Sequence, residues 1–165
     1  MQINVMKSAM KSGLILGVLF SINFFLMSAN FILGVGLVMA IIIVATYRVT
    51  IQFRDKECGG YINYGRALLF ILLSFFYASL ISAVIKLIYL QFINTNFLPN
   101  LHNEVLLFWE SANIPIDETL EETANSIFKP ASFSMYLIWM NMSGGTFIGL
   151  IMAAFVKKEK SIFEE

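Results

Sequence analysis

Few side chains in this sequence could carry chemistry, and most of them fall in two places. The first is the polar stretch Arg54-Asp55-Lys56-Glu57-Cys58-Gly59-Gly60-Tyr61-Ile62-Asn63-Tyr64-Gly65-Arg66, which interrupts long apolar runs. Arg48, Arg54, Lys56 and Arg66 offer cations suited to lipid phosphates, each contributing about 1 kcal/mol near an anionic surface. Tyr61 and Tyr64 suit the headgroup level of a bilayer. Gly59-Gly60 lets the chain reverse without steric cost. It is not a phosphate loop, because no Gly-x-x-x-x-Gly-Lys-Ser/Thr accompanies it. The stretch reads as a topology-setting loop with interfacial anchors, or as a docking surface for a lipid headgroup or a cytoplasmic partner.

The second place is inside the apolar runs, at Asn23, Lys86 and Asn141. An ionisable residue within a span is a functional-site hypothesis by default. All three sit a similar distance inside the same end of their runs. They are therefore expected to form one polar layer, with Lys86 donating to the Asn23 or Asn141 amide oxygen at about 0.6–2 kcal/mol per bond. The competing expectation is that Lys86, about 10 Å along a helix from Ile93, snorkels outward on its own stem or pairs with an outer acid. Each asparagine would then bond its own helix.

Other chemistry is scarce. Cys58 is the single cysteine, so it makes no internal disulfide and no multi-thiol zinc site; a reduced loop thiol is expected. His102, near Glu104 and Glu110, reads as a solvated helix residue rather than a metal ligand. No Ser/His/Asp set can be read from the spacing, and every Asp and Glu lies outside the apolar runs, against a proton pump built on buried acids. The expectation is a non-enzymatic protein with no cofactor and no metal. Nothing offers the solvent-exposed basic face that nucleic acid requires.

The elements that must position these residues are membrane helices. The chain is 58% hydrophobic and 13% charged, against about 25% charged for a soluble domain. Its apolar runs predict an all-α integral membrane protein, a single membrane domain over residues 1–165. Four transmembrane helices, about 13–29, 31–53, 67–93 and 133–156, form two hairpins. A basic start before an apolar run also describes a signal peptide, but Met27-Ser28-Ala29 puts a large residue at the cleavage position, and an uncleaved first span is expected. Ser28-Ala29-Asn30 makes a tight turn, with Gly34 and Gly36 easing the start of the second span. The third span, about 40 Å if fully helical, exceeds the ~30 Å hydrocarbon core and must tilt or protrude. Residues 94–132 are expected to hold two short amphipathic helices, the second opening on the acids of Asp117-Glu118-Thr119-Leu120-Glu121-Glu122.

Charge gives the orientation. Lys7 and Lys11, then Arg48, Arg54, Lys56 and Arg66, then Lys157, Lys158 and Lys160 make up nine of the 11 Lys and Arg residues. With four spans, all nine fall on one side, and basic residues mark the cytoplasm. Loop 54–66 and both termini are therefore expected in the cytoplasm, and the acidic segment 94–132 on the opposite side of the membrane. Small residues recur every fourth position, at Gly13, Gly17 and Ser21, at Ser74, Ala78 and Ser82, and at Gly145, Gly149 and Ala153. Such stripes let helices approach closely, with a neighbour in this chain the simpler expectation and another copy the alternative.

The segment Arg54-Asp55-Lys56, then Gly59-Gly60-Tyr61-Ile62-Asn63-Tyr64-Gly65-Arg66-Ala67, resembles the signature of an uncharacterised membrane family of Gram-negative bacteria, domain-of-unknown-function family 4199. Its pattern is a Tyr-Arg-Asp-Lys-type sequence, Gly-Gly-Tyr-Ile, then Tyr-Gly-Lys/Arg-Ala leading into a span. The opening Lys-Ser-Ala, the acidic outer segment and the basic tail are similar too, so the resemblance covers nearly the whole chain. Phe53 stands where Tyr is expected, and Asn94 where an acid is common. The resemblance implies four spans in the bacterial inner membrane and lends no catalytic residue. The function expected is an accessory or scaffolding protein that binds lipids and another membrane protein or itself. A small oligomeric transporter or lipid-handling protein built around the Lys86 layer is the alternative.

Overall fold

The computed structural model describes residues 4–29, 36 and 38–159. Among them are six α-helices and no strand: α1 (Val5–Ala29), α2 (Met39–Glu57), α3 (Tyr64–Ile88), α4 (Phe97–Ser111), α5 (Glu118–Ile127) and α6 (Pro130–Val156). A π-helical turn, Tyr89–Ile93, prolongs α3. Three segments are long and apolar enough to cross a membrane: Val5–Ser28, Tyr64–Ile93 and Pro130–Val156. This is a membrane protein. The helix α2 does not reach that standard, because Arg48, Arg54, Asp55, Lys56 and Glu57 all lie within it. Asn30, Phe31, Gly34 and Lys160, on which the tight turn, the start of the second span and the end of the tail were expected, lie outside the described residues.

The chain divides into two compact units, residues 1–82 with 140–165, and residues 83–139. In the first unit α3 is the central element, and glycines decide what packs on it. A Cβ at Gly13 would stand 2.6 Å from the Tyr77 Cβ, and one at Gly17 3.0 Å from the Ile81 Cβ. The same two positions lie against the α3 backbone at Ser74 and Ala78. The Gly13 Cβ would be 3.2 Å from the Ala78 nitrogen and from the Ser74 carbonyl oxygen, and the Gly17 Cβ 3.1 Å from the Ala78 carbonyl oxygen. Ala78 is fully buried there, and its small side chain is what leaves its backbone open to α1. On the other flank, a Cβ at Gly145 would overlap the Phe75 ring, 2.5 Å from its Cγ, and one at Gly149 would stand 3.3 Å from Ile71 Cγ2. The small-residue stripes of α1 and α6 therefore both close onto α3, within this chain. Rising residue numbers along α1 meet rising numbers on α3, so these helices run parallel; α6 runs the opposite way. Lipid tails are as apolar as the side chains they surround, so close packing rather than water exclusion holds such helices together.

Helix α2 completes this unit. Its buried residues Ile42, Thr46, Thr50 and Phe53 recur at helical spacing. Thr46 and Thr50 satisfy their hydroxyls on the Ile42 and Thr46 carbonyls, each at 2.7 Å. This back-bonding lets a polar residue face a core. The Phe53 ring stacks on Phe70 of α3, with centroids 4.1 Å apart. Buried Ser74 follows the same rule, bonding the Phe70 carbonyl at 2.8 Å.

The connection between α2 and α3 is shorter than expected. Residues 54–57 are the last turn of α2, and Tyr64, Gly65 and Arg66 are the first turn of α3, where the Asn63 Oδ1 accepts the Arg66 N–H at 2.9 Å. Only residues 58–63 are irregular. Gly59 and Gly60 have φ of 69° and 88°, a region costly for any residue with a Cβ, and this is where α2 stops.

The second unit holds the end of α3, the π turn, α4, α5 and the start of α6. Asn94 closes the π turn, its N–H reaching the Tyr89 carbonyl at 2.8 Å and its Nδ2 the Tyr89 hydroxyl at 3.1 Å. The helix α5 opens on Asp117, whose Oδ1 accepts the Leu120 N–H at 2.7 Å. Leu90, Leu98 and Ala124 are buried.

Candidate functional site

Polar side chains of the first unit gather where α2 ends, α3 begins, α1 starts and α6 finishes. Each pairing there has a bond behind it. The Ser8 hydroxyl of α1 donates to Glu57 of α2. Arg54 Nη1 donates to the Val156 carbonyl of α6 at 3.3 Å. The Tyr64 hydroxyl of α3 donates to the Leu150 carbonyl at 3.2 Å. Ile62 and Lys158 exchange backbone bonds of 2.8 and 2.9 Å, an isolated antiparallel bridge. Lys158 Nζ also stands 5.3 Å over the Tyr61 ring, within cation–π range.

These bonds sort the residues expected to dock a ligand. Arg54 is partly committed: its Nε pairs with Asp55 Oδ1 at 2.7 Å. That bond raises the guanidinium above its ordinary value and lowers the Asp55 carboxyl. Tyr61 and Tyr64 are held by the tail and by α6. Arg48, Lys56 and Arg66 are exposed. Cys58 is half-buried, and burial raises its thiol above the ordinary value while the Arg66 guanidinium beside it pulls it back. A thiol so held is a poor nucleophile. The sequence could not reveal the Ser8–Glu57 and Ile62–Lys158 contacts. Both join segments far apart in the chain through residue types that carry no motif.

The residues expected to pack helices divide between two seams. Gly13 and Gly17 meet Ser74 and Ala78 where α1 lies on α3, and Gly145 and Gly149 meet Phe75 and Ile71 where α6 lies on α3. Ala78 thus serves as a floor for α1 and carries no chemistry of its own.

The expected polar layer resolves differently. Lys86 is 3% exposed in the second unit, so it lies within the protein instead of reaching out along its surface. Asn23 Oδ1 is buried and has no hydrogen-bond partner among the described residues. Helix register separates the two asparagines. Ser21 meets Ser82 at 3.4 Å, while Gly145 meets Phe75. Asn23 and Asn141 therefore lie roughly one to two helical turns apart along the α3 axis. A shared depth requires α1 and α6 to reach one level on α3, and their registers on it differ. His102 is not the solvated residue expected. Its ring lies 5.1 Å from that of Phe128, and its Nε2 is buried without a partner among the described residues. The described residues contain no group of three or more His, Cys, Asp and Glu able to hold a metal.

Apolar surface is more plentiful than polar sites. A groove of about 480 Å³ between α2 and α6 is lined by Ile43, Val44, Tyr47, Ile151 and Phe155 among others. On α6, Phe147 and Phe155 are 70% and 76% exposed. Such a face needs lipid or protein against it.

Residues 11–158 match the family described as protein of unknown function (DUF4199), and the chain belongs to that family. No curated protein and no solved structure matches it.

Proposed function

We propose, with membership of that family as the premise, that this protein is a non-enzymatic accessory or scaffolding protein of a bacterial inner membrane. In this reading α2 belongs to a fourth span, and the four spans form a bundle of two hairpins. Both termini and the 54–66 segment lie in the cytoplasm, and α4 and α5 on the periplasmic side. The protein binds another membrane protein or lipid through its basic end and the apolar faces of α2 and α6.

One observation carries this reading. Three sequence-distant basic segments are tied to one another at a single end of the first unit, through Ser8–Glu57, Arg54–Val156 and Ile62–Lys158. That is the arrangement the positive-inside rule requires of four spans. It leaves Lys56 and Arg66 exposed at that end, with Arg48 exposed further back along α2. The parallel course of α1 and α3, with α6 running the other way, also supports an up-and-down path.

The test is photo-crosslinking in native membranes from a photoreactive residue at Lys56. One discrete membrane-protein adduct, lost when Arg48 and Arg66 are both changed to Gln, is expected. Adducts to this chain alone, as a stable oligomer, would overturn the scaffold reading in favour of a transporter or lipid-handling assembly.

A further inference from the structure

We infer that the groove between α1 and α3 is a binding site for a phospholipid with an anionic headgroup. The groove has a volume of about 390 Å³ and is lined by Lys7, Met10, Lys11, Leu14, Tyr77, Leu80 and Ile81. Its two ends differ in chemistry. At one end Lys7 and Lys11 stand one helical turn apart on α1. Both are exposed, and neither forms an ion pair among the described residues. Beyond them the lining is apolar, with Leu14 59% and Leu80 38% exposed.

The seam itself explains why a groove exists. Gly13 and Gly17 bring the α1 backbone close against Tyr77, Ala78 and Ile81. The larger side chains on either side of that contact stand apart and leave a furrow. From the level of Lys7 to that of Ile81 the furrow runs about 15 Å along the helix axes. This is about half of a ~30 Å hydrocarbon core, the depth of one leaflet. An acyl chain fits the apolar part while the headgroup phosphate meets the two ammonium groups. Charge selects the occupant. Two exposed cations, unpaired among the described residues, at the polar end of an otherwise apolar furrow favour a lipid of net negative charge over a zwitterionic one, and over the apolar face of a second helix.

The inference rests on the membrane reading of α1 and α3, and deepens the lipid arm of the proposed function. The test is native mass spectrometry of the full chain in detergent micelles. Phosphatidylglycerol and phosphatidylcholine with identical acyl chains are each titrated. Wild type is expected to hold phosphatidylglycerol at least about tenfold more tightly, given two lysines near the headgroup. The preference should vanish in K7Q/K11Q and survive in K129Q/K157Q, which removes the same charge elsewhere. L80W, which fills the furrow, should lose the bound lipid while melting as wild type does. Equal retention of the two lipids by wild type would overturn the inference. So would loss of the preference in K129Q/K157Q, or a lipid-independent crosslink between two copies at Leu14. None of these outcomes affects the Lys56 crosslink, so the two readings fail separately.

Discussion

Gly144 and Gly145 are neighbours in α6, yet the structure gives them opposite sensitivity to one added methyl group. A Cβ at Gly145 would overlap Phe75 Cδ1 and lie 2.5 Å from Phe75 Cγ and 2.9 Å from Phe75 Cβ. Phe75 is 2% exposed, and its ring meets Phe20 edge-on at 5.2 Å. Swinging the ring away therefore disturbs the α1–α3 contact, and the Cβ contact stays even then. Gly145→Ala must push α6 from α3. Overpacking of this kind costs typically 1–3 kcal/mol; at about 2 kcal/mol the unfolding equilibrium shifts about 30-fold. At Gly144 nothing lies within 4 Å of the added Cβ. There Gly144→Ala should be neutral or stabilising by up to about 1 kcal/mol, the helix preference for Ala. The assay is reversible unfolding by SDS titration from mild-detergent micelles, followed by circular dichroism. In the double variant G145A/F75A the new methyl occupies space the ring vacated, so the two changes should cost less together than the sum of each alone. Equal stability of G144A and G145A, or additive costs in the double variant, would refute the proposed closeness of α6 to α3.

Two further outcomes follow from local chemistry. Burial raises the Cys58 thiol, so at pH 7 its thiolate falls below the ~3% of an ordinary thiol of pKa ≈ 8.5. Iodoacetamide labelling should keep accelerating past pH 8.5, and Arg66→Gln, removing the cation that opposes the rise, should move the profile higher still. A plateau at or below pH 8.5 in wild type would contradict this. Asp117→Ala removes the cap on the Leu120 N–H, worth about 1 kcal/mol. Amide exchange at Leu120 should quicken about fivefold with α6 unaffected, as read by hydrogen–deuterium exchange.

What the sequence made legible depended on whether each element declared itself locally. Helices α1, α3 and α6 are apolar for long enough that nothing but a membrane explains them, and the acids after Asp117 mark the start of α5. The helix α2 was harder to read. Its core face sets Thr46 and Thr50, whose hydroxyls bond their own helix, between Ile42 and Phe53. A reader of residue types counts those threonines as polar and misses the stripe. Its last turn carries four charged residues, and the helix continues through them because Gly59 and Gly60 come only afterwards. The Gly13/Gly17 and Gly145/Gly149 stripes are visible in the sequence, but only the folded chain shows that both face α3. The third stripe shows the same limit: Ser74 and Ala78 receive α1, and nothing in their types says which of two flanking helices they meet. Counting residues from the end of an apolar run placed Asn23 and Asn141 together, whereas their helices cross α3 at different registers. The π turn at Tyr89–Ile93 has no signal in the sequence.

Membrane topology decides most directly whether α2 completes a fourth span and the basic end is cytoplasmic. A phosphatase reporter active only outside the cytoplasm and a fluorescent reporter active only within it would be placed in turn after Gly60, at Asn113 and after Glu159. Fluorescence at Gly60 and Glu159, with phosphatase activity at Asn113 alone, is the predicted result. Phosphatase activity at Glu159 with fluorescence at Gly60 would mean an odd number of spans between them and would contradict the arrangement.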